Sequence, residues 1–106
     1  MSAYELDPQE TDDPGIVHVS LGGELDLTNA QELHERLEAL VSNGQILVLD
    51  LNRVAFIDSA AIHVFFKLAR WRGPHGLAIV VEPSAPVART LAIAALDDVV
   101  PVGPSA

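Results

Sequence analysis

Apolar positions along the chain alternate between a period near two and a period near 3.6, and the changes of period mark its elements. Tyr4 and Leu6 alternate with charged residues ahead of the turn signal Asp13-Pro14-Gly15, which predicts a short edge strand. Val17, Val19 and Leu21 alternate with Ile16, His18 and Ser20, a strand with its Val/Leu face inward that Gly22-Gly23 is expected to break. Thr28-Asn29-Ala30-Gln31 has the form of a capping box, with Thr28 as N-cap. Ala30, Leu33, Leu37, Leu40 and Val41 then recur at helical spacing, opposite Glu32, Glu35, Arg36 and Glu38. Asn43-Gly44 supplies the stop.

Gln45 to Leu51 is almost continuously apolar, the pattern of a central strand covered on both faces. A link over Val54 to Asp58 leads into a second helix, from about Ser59 to Trp71, with Ala61, Ile62, Phe65, Phe66 and Ala69 as its expected buried stripe. Lys67, Arg70 and Arg72 place positive charge near its C-terminal end, and Gly73-Pro74 ends it. Leu77 to Val81 predicts another buried strand. Ser84 is placed to cap a third helix, with Pro86 in its first turn and Val87, Leu91 and Ala94 or Ala95 facing in. Val99 to Val102 predicts a last short strand, which Pro101 confines to an edge. This order implies an α/β fold, its sheet parallel over most of its width after an antiparallel start. At 106 residues the chain suits one domain, 1–106, with a single core.

Composition narrows the chemistry. Aromatic residues are only 5%, so the core must come from Leu, Val, Ile and Ala. The absence of cysteine excludes a disulfide framework, a thiolate metal site and a Cys nucleophile. The first residues carry neither a basic region nor an apolar run, and no stretch approaches the roughly 18 apolar residues of a membrane span, so a cytoplasmic protein is expected. A net charge of −9 repels phosphate backbones and anionic lipid, which argues against nucleic acid and membrane as partners. It suits a protein partner with a basic face, or serves only solubility.

Asp58-Ser59 is the candidate site. A hydroxyl and a carboxylate at a helix start lie among unpaired N–H groups and the positive end of the helix dipole, a favourable place for phosphate and equally an ordinary N-cap. Ser59 and His63 share a helical face, but no glycine-rich elbow surrounds the serine, so an enzyme is not expected. His18, His34, His63 and His75 show no ligand spacing, and Gly22-Gly23 lacks the rest of a phosphate loop, so neither a metal nor a cofactor is expected. Trp71 reads as a cover for the core edge sooner than as an exposed interface anchor, and Asp50 is expected to bond neighbouring backbone.

Gly23-Glu24-Leu25-Asp26 before one helix, Val48-Leu49-Asp50-Leu51, and Phe56-Ile57-Asp58-Ser59 opening the next helix together resemble the STAS domain, and more narrowly the bacterial anti-sigma factor antagonists. The resemblance covers nearly the whole chain. It implies a STAS-like mixed, mostly parallel sheet with helices packed against it. It also implies that Ser59 is phosphorylated by a partner that is both anti-sigma factor and serine kinase, that the unphosphorylated chain binds that partner and frees the sigma factor, and that a serine phosphatase restores binding. Asp26, Asp58 and Ser59 are then expected to cluster at one end of the sheet, with Ala60, Ala61 and His63 completing the partner-binding set. The family commonly continues Asp-Ser with Ser or Thr and then Gly, where this chain has Ala60 and Ala61. Ser59 is thereby the only acceptor in the motif, and the Ala61 methyl is expected close to an approaching kinase. The alternative is a STAS module that binds without phosphorylation, as a structural or transport-accessory subunit. The strand at Tyr4 to Gln9 offers a surface for a homodimer.

Overall fold

The computed structural model describes residues 3–73 and 75–104. Five strands, β1 (Tyr4–Gln9), β2 (Ile16–Leu25), β3 (Ile46–Ile57), β4 (Leu77–Val80) and β5 (Val102–Gly103), form one sheet in chain order. β1 runs antiparallel to β2 and every later pairing is parallel. Helices α1 (Ala30–Leu40), α2 (Ser59–Arg72) and α3 (Ala88–Ile93) occupy the three parallel crossovers.

Each crossover steps one strand further in the same direction. Right-handed connections that all step the same way place their helices on one face of the sheet. Burial follows that rule. Val19, Leu21, Leu47, Leu49, Leu51, Leu77 and Ile79 are fully or almost fully buried against Leu33, Leu37, Phe65 and Leu68, while Ser20, Val48, Asp50, Ala78 and Val80 on the opposite face are only half-buried. β3 is therefore central but not covered on both faces, contrary to its apolar run. Val48 is apolar because strand neighbours on either side shield it, which in sequence looks like burial under a layer.

Gly22-Gly23 does not end β2. The strand continues to Leu25, and the irregularity is absorbed by shifts of register against β3 between Ser20 and Gly22 and between Gly23 and Glu24. β3 contributes one extra residue at each shift, so its inward positions run Leu47, Leu49, Leu51, Val54 and Ile57. The segment expected as a link over Val54 to Asp58 is thus strand as far as Ile57. At Gly23, φ is +83°, and a Cβ would lie 2.5 Å from the Ala3 carbonyl oxygen, so only glycine lets β1 approach so closely.

Helix boundaries moved where side chains found better partners. Thr28 is not the N-cap of α1: its hydroxyl donates to Asp26 Oδ1 at 2.5 Å, and Asn29 precedes the helix instead. The buried Asn29 amide donates to the Glu24 carbonyl and accepts the Asp26 N–H, closing the loop rather than capping the helix. α1 stops at Leu40, before Asn43-Gly44. In α2 the core stripe is Ala61, Val64, Phe65, Leu68 and Ala69, with Ile62 and Phe66 half-buried at its margin. Gly73, at φ +82°, closes α2, and Pro74 lies outside the described residues. Ser84 is exposed and caps nothing, because turns occupy residues 83–87 and α3 starts at Ala88. A short 3-10 helix (Leu96–Asp98) and the turn that follows it precede the sheet, so the strand expected over Val99 to Val102 begins only at Val102 and β5 has two residues. Trp71 is 47% exposed with the Arg72 guanidinium over its ring, so it does not cover the core. Asp50 does bond its neighbour, accepting the Asn52 N–H at 2.9 Å.

Candidate functional site

Leu25 of β2 and Ile57 of β3 pair in register. The residues that follow them, Asp26 and Asp58, therefore leave the same end of two adjacent parallel strands. The crevice beyond the carboxyl ends of parallel strands is where open α/β sheets commonly place their ligands.

Asp58 organises the site. Its N–H donates to the Leu25 carbonyl at 3.1 Å, and its carbonyl accepts the first helical bond of α2, from Ile62, at 3.0 Å. One carboxylate oxygen accepts the Ala61 N–H at 3.1 Å, the capping bond of α2. The other accepts the Leu27 N–H from the β2–α1 loop at 3.0 Å. A single side chain thus caps the helix and ties down the neighbouring loop. Asp26 is half-buried and organises that loop from within, its Oδ1 accepting from both the N–H and the hydroxyl of Thr28.

Ser59 is the first residue of α2 and is exposed, as is His63 one turn on; Ala60 is half-buried. Ala61 is fully buried in the core. Of the six residues expected to meet a partner, it alone has a side chain with no outer surface, because its position on the helix points at the sheet. Since Asp58 takes the Ala61 N–H, capping is done by the aspartate and the Ser59 hydroxyl is left to solvent. Among the described residues no hydrogen bond joins Ser59 to His63.

Two apolar side chains flank the site that sequence reasoning passed over. Leu27 is 78% exposed in the loop held by Asp58, and Phe56 is 48% exposed near the end of β3. The signal for Leu27 was available: an apolar residue inside a polar loop has no place in either helical or strand periodicity. Phe56 was hidden by the second register shift, which turns it to the uncovered face of the sheet.

A mixed sheet backed on one side by its crossover helices, with an exposed serine opening one of them, defines a class of small α/β module. A family model of the STAS domain matches residues 7–106, and the chain belongs to that family. An anti-sigma factor antagonist from Mycobacterium paratuberculosis is similar in structure, with a TM-score of 0.83 and 26% identity over 97% of this chain and 87% of that one. The anti-sigma factor antagonist SpoIIAA in its unphosphorylated form shares the fold at a TM-score of 0.65, with 19% identity over 94% of this chain and 87% of that one. So does an antisigma-factor antagonist STAS domain from Rhodobacter sphaeroides, at a TM-score of 0.53, with 15% identity over 74% of this chain and 84% of that one. Among the described residues, no helix is long and apolar enough to cross a membrane.

Proposed function

We propose that this chain is a cytoplasmic anti-sigma factor antagonist and not an enzyme. Unphosphorylated, it binds an anti-sigma factor that is also a serine kinase and so releases the sigma factor. Phosphorylation of Ser59 ends the binding, and a serine phosphatase reverses it. The observation that carries this reading is the exposed Ser59 hydroxyl at the start of α2, with Asp58 already serving as the cap. A serine needed for capping would be held; this one is presented.

The mechanism is electrostatic. A phosphate on Ser59 adds about −1.5 to −2 charges and three acceptor oxygens. The helix start tolerates an anion, and Asp58 repels it, so the fold itself should change little. The effect falls on the interface, where burying a dianion without a cationic partner costs several kcal/mol. The free edge of β1, Tyr4–Gln9, is the surface through which we propose that two copies could pair as a homodimer.

The test is intact-mass measurement after incubation with ATP and each of a panel of purified serine-kinase anti-sigma factors. The expected result is a gain of one phosphoryl group with one member of the panel, absent from Ser59→Ala. A chain that binds such a factor tightly but gains no phosphate would establish the non-phosphorylated module instead.

A further inference from the structure

The loop between β2 and α1 is held by side chains on both sides of Leu27. The Asp58 carboxylate accepts the Leu27 N–H, Asp26 accepts the N–H and hydroxyl of Thr28, and the Asn29 amide bridges the Asp26 N–H and the Glu24 carbonyl. Asp26, Thr28 and Asn29 thus use their side chains to shape the loop. Leu27 is engaged through its backbone N–H, and its side chain is 78% exposed. The loop's own hydrogen bonding supplies no reason for a leucine there. A lone exposed leucine is ordinary on a protein surface, but this one stands on backbone fixed from a neighbouring loop. A side chain presented on ordered backbone loses little further freedom when a partner covers it.

The position of Leu27 relative to Ser59 says what meets it. Leu25 and Ile57 pair in register, so Leu27 and Ser59 each stand two residues beyond the same end of adjacent parallel strands. Consecutive Cα atoms are about 3.8 Å apart, so with the Asp58 carboxylate bonded at 3.0 Å the Leu27 amide lies within about 10 Å of the Ser59 Cα. An enzyme that phosphorylates Ser59 must bring its phosphate donor into bonding range of the hydroxyl. A standard interface covers about 800 Å² of each partner, a disc reaching roughly 16 Å from its centre. A complex centred on Ser59 therefore covers Leu27.

We infer that Leu27 is an anchor for the serine kinase that modifies Ser59, entering an apolar pocket on that partner beside its active site. The inference rests on the reading of Ser59 as the phosphorylated residue. Asp58 thereby sets the anchor at a fixed distance from the acceptor hydroxyl. Burial of an apolar side chain supplies affinity that owes nothing to charge, and the phosphate on Ser59 then opposes it.

The test is calorimetric binding of Leu27→Ala, Leu27→Met and Ile93→Ala to the anti-sigma factor that the parent chain binds. Ile93 is the comparison because it is 75% exposed at the C-terminal end of α3, in a different crossover. Both positions lie on the surface, and unchanged melting curves confirm the fold. The expected result is a loss of about tenfold or more for Leu27→Ala, with Leu27→Met and Ile93→Ala within about threefold of the parent. A Leu27→Ala loss no larger than that of Ile93→Ala, or no larger than that of Leu27→Met, overturns the anchor. If Ser59→Asp still lowers affinity in that case, the reading of Ser59 survives it. A parent chain that binds no such factor removes that reading and the anchor with it. Sedimentation of the chain alone addresses a different occupant: self-association that Leu27→Ala abolishes would assign Leu27 to a second copy and overturn the proposal.

Discussion

Asp58 and Leu27 belong to different loops, yet the Asp58 carboxylate accepts the Leu27 N–H at 3.0 Å while its other oxygen caps α2. Removing that carboxylate has two consequences that can be separated. Asp58→Ala loses both bonds and should cost about 2 kcal/mol, the upper end for an N-cap. Asp58→Ser keeps a capping oxygen but cannot reach Leu27, and should cost about 1 kcal/mol. Urea denaturation measures both; equal losses would show that the loop tie contributes nothing.

Ser59 variants should divide by charge. Ser59→Ala removes an exposed hydroxyl and should bind the anti-sigma factor within a few-fold of the parent. Ser59→Asp places a negative charge at the interface and should bind at least about tenfold more weakly, and the phosphorylated chain about a thousandfold, which corresponds to roughly 4 kcal/mol. Calorimetric titration decides, and equal affinity of the Ala and Asp variants would remove the electrostatic mechanism.

Tyr4 predicts a pH dependence. Burial raises its phenol above the usual value of 10.0, and the hydrogen bond to Glu32, at 2.7 Å, adds to the effect. The folded chain holds this proton more tightly than the unfolded one, so the contribution is complete below pH about 10 and fades as pH rises past the raised value. Tyr4→Phe should lose about 0.5–1 kcal/mol at neutral pH and show a shallower loss of stability in alkali. Denaturation midpoints between neutral pH and pH about 11 report it.

Gly23 and Gly44 share a left-handed backbone but not their surroundings. At Gly44, with φ +85°, a Cβ meets nothing within 4 Å, and Gly44→Ala should cost about 1 kcal/mol of backbone strain. Gly23→Ala adds a collision with the Ala3 carbonyl and should cost well over about 2 kcal/mol while loosening β1. Hydrogen exchange at Leu6 and Asp7 would accelerate in the second variant only.

Much of this was legible from residue order. Periodicity located the three helices and the core of most strands because the interior is built from Leu, Val and Ile on regular faces, as Leu33, Leu37, Leu47 and Leu49 illustrate, but it ended β3 at Leu51 and gave no sign of the 3-10 helix at Leu96–Asp98. The family resemblance implied a cluster of Asp26, Asp58 and Ser59 at one end of the sheet, and the register of Leu25 on Ile57 brings Asp26 and Asp58 out at the same end. What escaped depended on competition between partners at a distance. Thr28 satisfies a capping pattern but is claimed by Asp26, and Ser84 satisfies one but precedes turns instead of a helix. The uncovered face escaped because Val48 looks the same in sequence whether a helix or only its neighbouring strands shield it.

The two extra residues of β3 have a consequence for how the chain tolerates insertion and deletion. Each is taken up as a bulge, so that Leu51, Val54 and Ile57 all point inward. From Ser20 to Leu25 β2 advances five residues, while β3 advances seven from Asp50, the partner of Ser20, to Ile57. Deleting one residue between Leu51 and Ile57 would therefore remove one bulge, and deleting two would let Leu25 and Ile57 meet with no bulge at all, in either case with Ile57 still inward and Asp58 still beside its loop. The direction in which Ser59 looks out of the molecule is set by where the strand ends, and the two surplus residues upstream are slack.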